Sequence, residues 1–218
     1  GKIQSTVLKP LSNRRNLFLH GGMICDPLME LINSGAIAKN NKDRKPITTG
    51  VAVGTKEFYN FVAQRTDISF RPVTYTHDIE VLSSINNLVA INSAIEIDLF
   101  GQANAEMIKS KQVSGGGGLV DFLRGGRRSK GGRAIVALVS TTSDGKTSRI
   151  VQDLAPHTVS TVPRSDIDYV ITENGIANMH NKTLHERAEE LIEKAAAPQF
   201  RDELRSAREN IPTLKRTK

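Results

Sequence analysis

Cysteine, tryptophan and long apolar runs are scarce or absent in this chain of 218 residues. Its single cysteine, Cys25, excludes an internal disulfide and a zinc cage of several cysteines, and it fits a reducing compartment. The five histidines show neither HxxxH nor HxH spacing, so we expect no metal site. No run approaches the roughly 18 apolar residues of a membrane span, and no basic-then-apolar leader opens the chain. We therefore expect a cytoplasmic protein that does not enter membranes.

Aromatic residues make up only 5% of the chain, although its charge is markedly basic. A net charge of +7 is typical of proteins that bind nucleic acids or other phosphate groups. Few aromatic side chains are available for stacking on bases, and the Arg/Gly stretch lies between apolar segments instead of in a disordered tail. We therefore favour a phosphate-bearing cofactor, with a nucleic-acid-binding module as the weaker alternative.

Residues 113–133 form the most distinctive stretch, which reads VSGGGGLVDFLRGGRRSKGGR. A glycine costs roughly 0.5–1 kcal/mol relative to alanine in regular structure, so four in a row indicate a requirement of the backbone. The usual requirement is close approach of main-chain N–H groups to an anionic ligand. An apolar helix start follows and then, we predict, a cationic loop. The alternative is a flexible surface loop.

The order of strand-like and helix-like segments predicts an α/β fold with an open, largely parallel or mixed sheet flanked by helices. We expect one domain over residues 1–211 and a basic, frayed tail over residues 212–218. Helices are predicted to begin at caps, and residues 143–146 are predicted to form the turn of a β-hairpin. The predicted caps are Asp26, Thr55, Asp78 and the pair Thr183 and Glu186; Gly35 is predicted to end the first helix, and residues 70–75 to be extended around Pro72.

Several segments together resemble the C-terminal half of the acetyl-CoA hydrolase/transferase family, closest to its 4-hydroxybutyrate and butyrate–acetate CoA-transferases. The matching segments are NSAIEIDLFGQAN (92–104), SGGGGLVDF (114–122), SKGGRAIVAL (129–138), DYVITENGIA (168–177), TLHERA (183–188) and FRD (200–202). The resemblance implies two open α/β domains with the active site between them, of which this chain supplies the second. It also implies that an N-terminal half is missing or supplied by a partner chain, and that the protein forms a homo-oligomer.

In that family a glutamate attacks the acyl-CoA thioester, and CoA passes to a second carboxylate. The resemblance therefore implies acyl-CoA and small carboxylates as substrates. The family's nucleophile motif corresponds to LFLHGGMICD (17–26), where Gly22 stands at the glutamate position. Three explanations remain open: an engineered change, an altered reaction in which water attacks with Glu96 or Glu173 as general base, or a catalytically silent domain that binds acyl-CoA.

Candidate site residues follow from the residues and from the resemblance. Glu173 follows a buried strand and precedes a glycine turn, a common place for functional carboxylates. Glu96 has the alternative of a strand residue in solvent or paired with an arginine. Asn92 matches an active-site asparagine of the family, and its alternative is an amide satisfied by the backbone. Cys25 could be a reactive thiolate but is more commonly structural. For coenzyme A we expect the thioester at Gly115, Gly116, Gly117 and Gly118, and the phosphates at Arg127 and Lys130.

Overall fold

The computed structural model describes residues 6–39 and 45–215, which form two compact units, Gly1–Val81 and Leu82–Lys218. Each unit has its own hydrophobic core. Ile24, Leu28 and Phe58 are fully buried in the first, and Leu123, Val136 and Leu191 in the second. The single domain expected over residues 1–211 did not distinguish these two cores.

The first unit is built on a parallel three-stranded sheet of order β1-β2-β3. In β1 and β2, Leu19 pairs with Ile47 and Ile24 with Ala52. A 3-10 turn, Lys9–Asn13, precedes the sheet. The elements are β1 (Leu19–Ile24), α1 (Pro27–Asn33), β2 (Ile47–Ala52), α2 (Lys56–Ala63), β3 (Ile68–Phe70) and α3 (Val73–Thr76), followed by α4 (Ile79–Ser84), which includes the boundary between the units.

Three predicted helix boundaries of the first unit are confirmed. The Thr55 hydroxyl caps α2 by accepting a hydrogen bond from Phe58 N at 3.2 Å. Asp78 Oδ1 accepts from Glu80 N at the start of α4. Gly35, with φ of +73°, follows α1 in the left-handed conformation that glycine adopts readily.

Two other predictions in this unit are wrong. Asp26 precedes α1 but makes no side-chain cap; its carboxylate accepts instead from Thr55 N and Thr55 Oγ1. Of the segment 70–75 predicted to be extended around Pro72, Phe70 ends β3 and Pro72 is extended, but Val73 begins the short helix α3.

The second unit contains a four-stranded sheet of order β12-β11-β9-β4, parallel except for the hairpin partner β12. A smaller sheet has the order β10-β5-β6, and β7 pairs with β8. The strands are β4 (Val89–Ser93), β5 (Glu96–Asp98), β6 (Ala103–Asn104), β7 (Met107–Ile108), β8 (Lys111–Gln112), β9 (Arg133–Ala137), β10 (Ile150–Val151), β11 (Tyr169–Thr172) and β12 (Gly175–Asn178). The helices are α5 (Leu119–Arg128), α6 (Leu184–Glu190) and α7 (Arg201–Asn210), with a π-helical turn at Leu191–Ala195 and 3-10 turns at Arg164–Asp166, Pro198–Phe200 and Pro212–Leu214.

The α/β class is confirmed, with several sheets in place of one. The predicted hairpin at residues 143–146 is reduced to a single antiparallel bridge between Thr141 and Ser148, because β9 and β10 join different sheets. Thr183 and Glu186 form the predicted capping box of α6. The tail expected to fray from residue 212 instead begins with a 3-10 turn whose Leu214 is fully buried; residues 216–218 lie outside the described part.

Candidate active site

Gly22 lies near the centre of β1 in the first unit. Side chains alternate along a strand, so His20 and Gly22 share one face of β1. His20 Nε2 lies 2.9 Å from the Thr76 carbonyl oxygen, which can only accept, so the proton of His20 lies on Nε2. This hydrogen bond fixes the end of α3 against that face.

The imidazole of His77 occupies the space above Gly22. A Cβ atom added to Gly22 would lie 2.8 Å from His77 Cε1 and 3.1 Å from His77 Nε2. Unbonded carbon atoms normally stay about 3.5–4.0 Å apart, so any side chain at position 22 would displace this ring. On the neighbouring strand, a Cβ at Gly50 would lie 2.9 Å from the Gly22 carbonyl oxygen. The backbone around Gly22 is therefore closely packed.

Thr76 holds the His77 ring in place. Thr76 is fully buried, and its Oγ1 lies 2.9 Å from His77 Nδ1 and 3.5 Å from the Pro72 carbonyl oxygen. His77 itself follows the last residue of α3 with φ of −109° and ψ of 0°, in the bridge region where many active-site residues are found. Sequence reasoning did not select His77, because Gly22 lies 55 positions away and no local motif joins them.

Cys25 directly follows β1, but its surroundings do not favour a reactive thiolate. Burial raises the pKa of its thiol, and the neighbouring Asp26 carboxylate adds to the rise. The thiol is therefore the favoured form.

The four glycines of the second unit lie on the surface before α5. Gly117 has φ of +52°, and Gly118 is the residue before the helix. Within the described part of the chain, the main-chain N–H groups of Gly115, Gly116, Gly117 and Gly118 have no hydrogen-bond acceptor, and no atom lies within 4 Å of a Cβ built on Gly115 or Gly117. Such a row of open donors can receive an anionic or polarised oxygen.

The cationic loop predicted after the glycines is wrong, because residues 119–128 form helix α5. Gly125 and Gly126 are buried in it and allow close packing against the rest of the unit: a Cβ on Gly126 would lie 2.8 Å from the Arg133 carbonyl oxygen. Arg124 donates to Asp166 at 2.7 Å, and Arg127 Nε donates to Asp168 at 2.9 Å.

The buried Asp168 carboxylate has two further contacts besides Arg127. It accepts a hydrogen bond from Ala134 N at 3.0 Å and lies 3.1 Å from His180 Nδ1. Arg127 is thus part of a structural ion pair, whereas Lys130 lies exposed beyond the helix. That either side chain meets CoA phosphates stays a prediction.

Glu173 lies directly after β11, and its carboxylate is held by Ser140. Ser140 N donates to Oε2 at 3.0 Å, and the Ser140 hydroxyl donates to Oε1. Partial burial would raise the pKa of Glu173, but the hydrogen bonds from Ser140 prevail and hold the pKa below its ordinary value. The carboxylate is therefore ionised, and it is a weaker base than an unperturbed glutamate. The sequence did not identify Ser140 as its partner, because the two residues are 33 positions apart.

The other two candidates lie on different sheets. Asn92 belongs to β4, next to the parallel strand β9, so Asn92 and Glu173 lie towards the same carboxyl edge of the larger sheet. Ligands of open α/β sheets commonly bind at this edge. Glu96 belongs to β5 of the smaller sheet and accepts from the buried Asn104 amide at 3.0 Å. The catalytic roles of Asn92, Glu96 and Glu173 stay predictions.

Other site types are limited by what the described residues contain. They include no group of three or more His, Cys, Asp or Glu side chains that could hold a metal ion. No described helix is long and apolar enough to cross a bilayer. A surface hollow in the second unit contains none of the predicted site residues; it is lined by His185, Glu189, Arg208, Glu209 and Lys215.

Several known proteins are similar to this chain in sequence and in fold. The chain is 42% identical to 4-hydroxybutyrate coenzyme A transferase of Clostridium kluyveri, over 94% of this chain and 48% of that protein. It is 39% identical to butyryl-CoA:acetate CoA-transferase of Anaerostipes caccae, over 88% of this chain and 44% of that protein. The crystal structure of 4-hydroxybutyrate CoA-transferase from Porphyromonas gingivalis superimposes with a TM-score of 0.81 at 36% identity, over 96% of this chain and 49% of that one.

The chain thus spans about half the length of these relatives. Residues 54–208 match the family described as acetyl-CoA hydrolase/transferase C-terminal domain. This match covers most of the second unit, and it includes His77 of the first unit. The chain therefore belongs to the acetyl-CoA hydrolase/transferase family.

Proposed function

We propose that the protein carrying this chain hydrolyses acyl-CoA thioesters, and that water takes the place of the family's glutamate as nucleophile. Gly22 is the observation that carries the proposal. Glycine offers no carboxylate at the position where the resemblance puts the nucleophile, and the His77 ring fills the space that its side chain would need. A covalent acyl-glutamyl route has no starting atom there.

The glycine loop supports binding of the thioester. Gly115, Gly116, Gly117 and Gly118 present main-chain N–H groups without internal acceptors among the described residues. Donors of this kind stabilise the negative charge that develops on a carbonyl oxygen during attack. We propose that they receive the thioester oxygen, with coenzyme A as the substrate's carrier and no metal involved.

The charged neighbours have separate proposed roles. Lys130, exposed after α5, is proposed to contact CoA phosphates, and Arg127 to contribute while it remains paired with Asp168. Because the relatives are about twice as long, we propose that a further domain or partner chain completes the site. A cytoplasmic location and a homo-oligomer are separate proposals, carried over from the composition and from the family resemblance.

Separate measurement of thiol release and acyl exchange tests the proposed reaction. The protein is mixed with acetyl-CoA and butyrate, and free CoA and butyryl-CoA are followed independently. We expect free CoA without butyryl-CoA. Butyryl-CoA would contradict hydrolysis and show transfer. If neither forms although CoA binds, the protein is the silent acyl-CoA-binding domain that Gly22 also permits.

A nucleic-acid-binding module has less support from the structure. Arg124 and Arg127, two of the cations in the Arg/Gly stretch, are paired with aspartates and lie on a helix. Salt-dependent binding of RNA together with no affinity for CoA would favour that alternative over both acyl-CoA hypotheses.

A further inference from the structure

Hydrolysis requires a base that takes a proton from the attacking water, and the His77 ring lies directly against Gly22. Two atoms of the ring lie within 3.1 Å of the position that a Cβ would take on Gly22. The ring thus stands where the first atoms of a glutamate side chain would stand.

We propose that the His77 imidazole is the general base of this protein, in place of the carboxylate that Gly22 lacks. The inference rests on the proposed hydrolysis and names the residue that performs its proton transfer. A histidine is well suited to this role, because imidazole can accept and return a proton near neutral pH.

In the proposed role the proton goes to Nε2, the ring nitrogen 3.1 Å from the Gly22 Cβ position. The other ring nitrogen, Nδ1, lies 2.9 Å from Thr76 Oγ1. A hydroxyl oxygen can accept as well as donate, so Thr76 can support the tautomer with its proton on Nδ1, in which Nε2 is the basic atom.

The proposed step balances without any further reactant. Water attacks the thioester carbonyl carbon, a C–O bond forms, and one water proton passes to His77 Nε2. The tetrahedral intermediate collapses, the C–S bond breaks, and the imidazolium returns the proton to the departing thiolate. The products are the free acid and CoA thiol, and His77 regains its starting state.

The carboxylate candidates are less suited to the same step. Hydrogen bonds from Ser140 hold the pKa of Glu173 below its ordinary value, so its carboxylate is a weaker base than an unperturbed glutamate. Glu96 is tied to the Asn104 amide at 3.0 Å. His77 is the titratable side chain that the described residues place directly over Gly22.

Replacement of the ring tests the proposal, with acetyl-CoA as the probe in each assay. His77→Gln keeps a polar side chain of similar reach but removes the base, so thiol release is expected to fall by about 10²- to 10⁴-fold while the affinity for CoA stays unchanged. His157→Asn is the matched control, because His157 is exposed in a loop with φ of +64°, a conformation that asparagine tolerates. The control is expected to keep the full rate.

A second variant separates chemistry from folding. His77→Ala opens the space above Gly22, and free imidazole added to the buffer is expected to restore part of the thiol release. Loss of CoA affinity in both variants with no restoration by imidazole would overturn the assignment in favour of a structural role. If thiol release survives His77→Gln, His77 is not the general base, although the proposed hydrolysis still stands. No thiol release from the unaltered protein would defeat this role and the proposed hydrolysis together.

Discussion

The His77 imidazole ring lies against Gly22 on one face of β1, where a larger side chain would overlap it. Replacement of Gly22 should therefore lower the stability of the protein, although alanine normally suits a strand at least as well as glycine. The same contact makes His77 and Gly22 energetically coupled, and such coupling is measurable.

Gly22→Ala is expected to destabilise the protein by about 1–3 kcal/mol, since the added methyl group overlaps the ring at His77 Cε1. In the double variant with His77→Ala the overlap is gone, so the two effects should be non-additive. Chemical unfolding of the two single variants, the double variant and the parent measures the coupling. Additive effects would show that the ring does not occupy this space.

Glu173 predicts a pH dependence of stability. Its folded pKa is lowered, so its contribution is fully present above the ordinary glutamate value of about 4.3 and is lost as pH falls through the folded pKa. Ser140→Ala removes the hydroxyl donor and should lower the unfolding free energy at pH 7 by less than about 1 kcal/mol, because the carboxylate is exposed.

The difference between Ser140→Ala and the parent should shrink on acidification to pH 3. Ser160→Ala serves as the control, because it removes a serine hydroxyl that donates to the Val162 carbonyl oxygen, a group that does not titrate; its effect should not change with pH. A difference that stays constant between pH 7 and pH 3 would show that the bond to Glu173 carries no net stability.

At the scale of elements, α5 combines good helix signals with two glycines that oppose them. The glycines are explained by packing: a Cβ on Gly126 would lie 2.9 Å from Ala90 Cβ and 2.8 Å from the Arg133 carbonyl oxygen. The helix therefore lies closer to β4 and β9 than one with larger residues could.

Gly126→Ala should consequently destabilise the protein by roughly 1–3 kcal/mol, although alanine in a helix normally gains about 1 kcal/mol over glycine. Thermal or chemical unfolding measures the change. Gly115→Ala is the matched control, since no described atom lies within 4 Å of its Cβ position; its effect should stay within about 0.5 kcal/mol. A stabilising Gly126→Ala would contradict the close packing of α5.

Local signals explain which elements the sequence predicted correctly. Thr55, and Thr183 with Glu186, act within one helical turn, so their caps are readable from spacing alone. The start of α5 was predicted, but its continuation through Gly125 and Gly126 was missed, because Gly126 packs against Ala90 and Arg133, which are distant in sequence. Asp26 was misassigned for a similar reason, since its partner Thr55 lies 29 positions away.

The same limit applies to the candidate site. Position alone indicated Glu173 and the glycine run, because strand ends and repeated glycines are visible in sequence. Ser140, 33 positions from Glu173, and His77, 55 positions from Gly22, are brought in by the fold. Such partners require three-dimensional coordinates.

At the scale of the whole molecule, family membership favours a transferase, whereas the proposed correspondence of Gly22 to the family's glutamate favours a different reaction. The chain belongs to a family whose relatives include CoA-transferases, and it spans about half of their length. Position 22 nevertheless holds no group that could carry an acyl or CoA moiety covalently. We therefore propose that thioester cleavage proceeds without a covalent protein intermediate.

The most direct test is the intact mass of the protein, quenched while it releases thiol from acetyl-CoA in the presence of butyrate. We predict the unmodified mass throughout turnover, because water and not a protein side chain attacks the thioester. An added acetyl group or an added CoA on the protein, on Glu96, Glu173 or His77, would contradict the account and show a covalent route.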